Sequence, residues 1–179
     1  MSTEILIALG GVIVAFLGLI VAFVAFLRQT RDTHLSLGVQ LLRELERDFD
    51  SKEMRKNRSG LAKLYLKQKL GKPMPGSSFG DHSEVFDFFT TVGLLLKRGV
   101  LDVEFVWTSF YYWFVRHWEI SEPDIQAWRK QEADPTYWEE CDYLYLRLIR
   151  YDAKRRGVPV RRQTSEELKR FLKEQSDLP

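Results

Sequence analysis

The chain has 179 residues, and its 27 lysines and arginines nearly balance 25 aspartates and glutamates, for a formal net charge of +2. So small a surplus argues against nucleic acid as the partner, since that role wants a strongly basic surface and a recognised binding module. Cys141 stands alone, which excludes an internal disulfide and suits a reducing compartment.

From Ile5 to Leu27 there is no charged residue, no Asn, no Gln and no Pro. At about 1.5 Å rise per residue, that run is long enough to cross a hydrocarbon core of roughly 30 Å. A cleaved signal peptide fits poorly. The only charged side chain ahead of the run is Glu4, and it ends in Phe26-Leu27-Arg28 with no small-residue cleavage site. The expected organisation is a short extracytoplasmic N-terminus over 1–4, a transmembrane helix over 5–27, a helical domain over 28–163 and a charged C-terminal helix or tail over 164–179. Arg28 and Arg31 directly follow the run, so the positive-inside rule puts the domain in the cytoplasm and Met1 outside, with a single pass through the inner (plasma) membrane.

The apolar run carries a second pattern. Ala8, Gly11, Ala15, Gly18, Ala22 and Ala25 are spaced 3, 4, 3, 4 and 3, one seam of small residues with a 3.5-residue period. In lipid, small side chains let helix backbones approach, and this period favours a left-handed crossing of about +20°. Self-association along the seam is the expectation; chance alignment of common membrane residues is the plainer alternative.

The remaining elements read as helices. Leu35, Val39, Leu42, Leu45 and Phe49 form an apolar stripe on a helix continuing the apolar run. Asp50 with Glu53 reads as a capping box opening a second helix towards Leu70. Residues 71–80 are dense in Gly, Pro and Ser and read as a loop. Asp81 and Glu84 make another capping box, for a helix that buries Val85, Phe88, Phe89, Val92, Leu95 and Leu96 and stops at Gly99. Asp102 caps a helix to about Ile120, and Ser121 with Pro123 starts a short one. Asp134-Pro135 suits the start of a helix to Gly157, with Tyr137, Cys141, Leu144, Leu148 and Tyr151 on one side. Thr164 and Glu167 open the last, highly charged helix. No stretch alternates with period two. The expected fold is all-α: an N-terminal transmembrane helix continuing into a compact cytoplasmic domain of about six helices.

The stretch from Asp87-Phe-Phe-Thr-Thr-Val-Gly93 to Asp102, followed by the aromatic Phe110-Tyr-Tyr-Trp-Phe-Val-Arg-His-Trp-Glu119, resembles an uncharacterised bacterial family of short proteins. The resemblance covers roughly Thr33 to Asp152 and implies one N-terminal span followed by a small helical domain of unknown function. It implies no catalytic residues.

Phe105, Trp107, Phe110, Tyr111, Trp113, Phe114, His117 and Trp118 surround nearly the whole circumference of the aromatic helix. A helix apolar all round is a central one, so Phe110, Trp113, Phe114, His117 and Trp118 read as core. A pocket for a small apolar ligand is the sharper alternative. An interfacial helix is disfavoured, because the polar side offers one Arg against two Glu.

Catalytic patterns are thin. His34, His82 and His117 are not spaced as metal ligands, no C-x-x-C or H-E-x-x-H occurs, and the 71–80 loop lacks a phosphate-loop ending. Cys141 on an apolar stripe reads as core, and His117 with Glu119 as a satisfied polar pair. No cofactor, no metal and no enzyme activity is expected, an enzyme of unrecognised type using His117 or Cys141 being the remote alternative.

Charge is segregated. Residues 52–80 hold eight basic residues against Glu53, 81–142 hold five basic against thirteen acidic, and 143–163 hold seven basic against Asp152. Helical spacing puts Lys52, Arg55, Lys56, Lys63 and Lys67 on one face and Arg147, Arg150 and Lys154 on another. Such faces attract anionic lipid headgroups at about 1 kcal/mol per basic residue near the surface, or a protein partner; a solvated face pairing with the acidic segment is the plainer alternative. The functional expectation is a membrane-anchored binding or scaffolding protein that forms a homo-oligomer.

Overall fold

The computed structural model describes the backbone of residues 3–68 and 83–178 and the side chains of 18–26, 28–29, 36–68 and 83–178. Six helices lie among these residues: α1 (Thr3–Phe49), α2 (Lys52–Lys67), α3 (Glu84–Lys97), α4 (Val103–Gln131), α5 (Glu139–Arg156) and α6 (Ser165–Ser176). No strand occurs among them, so the protein is all-α. It divides into two compact units, Met1–Gln40 and Leu41–Pro179.

The first unit is the α1 helix up to Gln40. Leu19, Ile20, Val21, Phe23, Val24 and Phe26 are all exposed along it. Among the described residues no helix is long and apolar enough to cross a membrane. The side chains of 5–17, and with them Ala8, Gly11 and Ala15, lie outside the described residues. The transmembrane helix expected over 5–27 thus falls largely on residues whose side chains lie outside the description.

The second unit folds around α4, which packs against α3, α5 and α6, while α2 packs against α3 and α6. Its core is heavily aromatic. Phe49 from the end of α1 sits 5.6 Å from Phe110 and 5.7 Å from Phe89, and Phe89 sits 4.8 Å from Phe114. Burying one such ring contributes roughly 1.5–3 kcal/mol, and tilted contacts between rings add to that.

Local signals set most boundaries. Ser51 caps α2, its Oγ accepting from the Met54 amide at 3.1 Å. The expected Asp50 box is displaced by one residue. Asp81 and the 71–80 loop lie outside the described residues; α3 begins after Ser83. It ends on Gly99 at φ +71°, where Gly99 and Val100 amides close back on Leu96 and Leu95 at 3.1 and 3.0 Å. Asp102 caps α4 by accepting from the Glu104 amide at 2.7 Å. Thr164 and Glu167 form both halves of the capping box of α6.

Two expectations fail here. No separate helix starts at Ser121 and Pro123: α4 runs unbroken to Gln131 with Pro123 inside it. A proline costs a helix one amide donor. Here its ring faces solvent while Ile120, Ser121, Asp124 and Ile125 around it are buried, so packing holds the helix through it. Asp134-Pro135 does not start α5 either. Asp134 instead accepts from the Thr136 amide and hydroxyl at 2.8 and 2.6 Å, making a turn. Trp138 then takes a left-handed conformation at φ 53°, held by its Nε1 donating to Asp87 at 2.7 Å, and α5 begins at Glu139.

The motif around Asp87 thus has a physical role. Asp87 holds Trp138, Phe89 and Val92 fill the core, and Gly93 meets α5 so closely that a Cβ there would collide with the Glu140 carbonyl. Phe86, outside the expected stripe, is fully buried, while Phe88 and Leu95 are half-buried.

Candidate functional site

The aromatic residues of α4 are consumed by packing. Phe110, Phe114, His117 and Trp118 are buried and Trp113 is half-buried, with Phe114 over Trp118 at 6.0 Å and Trp113 against Phe171 at 6.3 Å. His117 does not pair with Glu119, whose carboxylate instead accepts from the Tyr145 hydroxyl at 3.0 Å and the Gln163 amide at 2.8 Å. The His117 ring stands edge-on to Phe171 at 4.9 Å. Burial, then the nearby Arg58 cation, lower its pKa to about 3, while Gln175 opposes them slightly. Its Nε2 and the Gln175 Oε1 nevertheless both lack a hydrogen bond of full geometry. The ring is neutral at ordinary pH.

Cys141 is fully buried, 3.5 Å from the Thr90 hydroxyl and 3.6 Å from the Phe86 carbonyl. Burial pushes its thiol up to about 12, so it stays protonated and is no ready nucleophile. Among the described residues no group of three His, Cys, Asp or Glu is placed to hold a metal ion.

Three buried charges went unseen in the sequence: Asp124, which accepts from the Tyr65 hydroxyl at 2.7 Å, Asp152 and Arg58. Asp152 of α5 accepts from Trp107 Nε1 at 3.2 Å, the Tyr111 hydroxyl at 2.9 Å and Arg156 Nε at 2.8 Å. Its place on the apolar stripe of α5, one turn after Leu148, was the available signal. Arg58 of α2 stacks 3.9 Å above the Phe49 ring and 5.5 Å from that of Trp113. Its carboxylate neighbour, Asp50, is 3.9 Å away and mostly exposed, and its Nε has no partner. Burial lowers its pKa to about 10, so it remains charged. One basic residue among eight in its segment gives no sign of this.

The basic faces survive as surfaces. Lys52, Lys56, Lys63 and Lys67 are exposed on α2 with Arg55 half-buried, and none of the five has an ion-pair partner among the described residues. On α5, Arg147, Arg150 and Lys154 come together and are likewise unpaired there. With Val103, Tyr151 and Arg155 they line a surface hollow of about 500 Å³. Arg155 is held in place from α4, 3.8 Å from the Glu104 carboxylate and 4.5 Å above the Trp107 ring. The acidic segment leaves this face largely uncompensated: its ion pairs go to Lys97, Arg129, Arg155 and Arg162. Of the seam residues, Gly18, Ala22 and Ala25 are exposed, and nothing lies within 4 Å of where a Gly18 side chain would start.

An aromatic-cored, all-α domain with a cationic outer face is the class these features define. The chain belongs to the family described as domain of unknown function DUF4760, whose model matches residues 6–148. No curated protein and no solved structure matches the chain.

Proposed function

We propose that the protein is a membrane-anchored helical module that works by binding or scaffolding rather than by catalysis. The observation that carries this reading is the exposed apolar stretch of α1. Leu19, Val21, Phe23 and Phe26 are each more than 60% exposed, and the sequence stays free of charge back to Ile5. Large apolar side chains on every face of a helix are costly in water and at home in lipid. The family match begins at residue 6, so nearly all of the apolar run lies within the matched region. Arg28 and Arg31 favour a single pass with the domain in the cytoplasm. Open space around Gly18 suits close approach of a second copy along the seam of small residues, giving a homo-oligomer. The unpaired basic faces then turn to anionic headgroups or to an acidic protein partner. The buried, protonated Cys141 thiol and neutral His117 favour this over an enzyme, and the filled aromatic core favours it over an apolar ligand pocket.

Membranes from a bacterial host expressing the full chain test the anchor. The protein should stay in the pellet through alkaline carbonate washing, and a periplasmic phosphatase fused after Pro179 should be inactive. Release by carbonate overturns the anchor; an active fusion overturns the orientation. For the seam, Gly18→Leu should lower crosslinking between copies and Leu19→Ala should not. Equal yields would remove the interface.

A further inference from the structure

We propose that the hollow bounded by Arg147, Arg150, Lys154 and Arg155 is a binding site for a phosphate monoester. Residues 147, 150 and 154 follow one another at three- and four-residue spacing, so α5 points all three cations to one side. These three have no carboxylate partner among the described residues, so they repel one another, and an incoming anion relieves that repulsion. Arg155 adds a fourth cation that is already oriented, by Trp107 beneath its guanidinium and by Glu104 at its side. Trp107 is fixed in turn by its bond to Asp152 and by the Tyr151 ring 5.9 Å away. Arg155's side of the hollow is therefore anchored through half-buried Trp107 to buried Asp152, which limits its share of the ordering cost of binding.

The size and charge point to phosphate. About 500 Å³ lies within the range of small-ligand sites. A carboxylate brings one charge, whereas a phosphate monoester brings close to two and three strong acceptor oxygens, matching several guanidinium forks at once. The start of α4 beside the hollow is not the attraction, since Asp102 already occupies the Glu104 amide. Two sources supply this chemistry, a soluble phosphate ester and a lipid headgroup ending in a phosphate monoester. The proposal rests on reading the basic faces as binding surfaces and does not depend on the anchor.

Calorimetric titration of the full chain in nonionic detergent tests it, with glycerol 3-phosphate as the soluble probe and short-chain phosphatidic acid, against phosphatidylcholine, as the headgroup probe. Binding of glycerol 3-phosphate identifies a soluble source; binding of phosphatidic acid alone identifies a headgroup. In either case the combined Arg147→Gln, Arg150→Gln and Lys154→Gln variant should bind at least about tenfold more weakly. The combined Lys52→Gln, Lys56→Gln and Lys63→Gln variant should bind as the parent does. Arg150→Gln alone keeps the test open if the triple variant melts early, and should also weaken binding. No binding of either probe overturns the site, as does equal loss from the α2 variant, which would mean diffuse attraction. A carbonate-released protein that still binds glycerol 3-phosphate would end the anchor and keep the site.

Discussion

Asp152 and Arg58 are both buried charges, and both lean on aromatic residues of α4, yet they are accommodated in opposite ways. Asp152 receives three directed hydrogen bonds, from an indole, a phenol and a guanidinium. Arg58 receives ring faces, one distant and exposed carboxylate, and leaves its Nε unpaired. A buried carboxylate with its acceptors filled fixes the positions of its donors. A buried guanidinium over the Phe49 ring contributes mostly area and shape, which an apolar chain could supply. The two regions should therefore answer mutation differently, although both look polar and buried.

The largest effect should come from Asp152→Ala, which leaves the half-buried Trp107 and Tyr111 donors without their acceptor and frees the exposed Arg156. Losing hydrogen bonds to a buried carboxylate costs about 1.5–3 kcal/mol each. Urea denaturation of the full chain in nonionic detergent checks it, and a loss under about 1 kcal/mol would mean that the network carries little.

Next comes acidification, which acts on the Arg58 side through His117. The ring takes up its proton near pH 3 when folded, against an ordinary value of 6.5. The unfolded chain thus binds the proton first. Stability is full above pH 6.5 and falls as the pH drops from there towards 3. His117→Gln should remove that part of the acid sensitivity, so parent and variant melting curves that differ at neutral pH should converge or cross on acidification. A stability difference independent of pH across that window would show that the ring does not titrate differently on folding.

A smaller change is expected at the edge of the same region. Thr164→Ala removes the cap of α6, the helix that lays Phe171 against the His117 ring, and should cost about 1 kcal/mol. The smallest loss, if any, is expected from Arg58→Met. Replacing a poorly compensated buried cation by an apolar chain of similar length is often neutral or stabilising by about 1–4 kcal/mol. A loss comparable to that of Asp152→Ala would erase the contrast between the two regions.

Much of the fold was legible because its signals are local. Asp102, Thr164 with Glu167, and the glycines at 99 and 157 cap or end helices through atoms within a few residues. Where expectation failed, packing or a single side chain's geometry had decided the outcome. Pro123 is carried through α4 by the burial of Ile120 and Ile125 beside it. The helix expected from Asp134 waits until Glu139 because Arg129 donates to the Tyr137 carbonyl at 2.8 Å and Asp87 holds Trp138. Ser51 displaced Asp50 because both are good caps and the choice rests on one side chain's geometry. At the surface, the spacing of Arg147, Arg150 and Lys154 announced their common face. Arg155's contribution did not show, since it depends on Trp107 and Glu104 from another helix.

The contact between α2 and α6 also sets an order of events during synthesis. Ser59 donates to the Ser176 carbonyl across 117 positions of chain, at 3.1 Å. Phe171, which covers His117, is just as late. While the ribosome is still adding those residues, α2 stands without its cover, and the Arg58 guanidinium and the His117 ring meet water or whatever else is near. This side of α2 therefore has no cover of its own until Ser176 has cleared the exit tunnel.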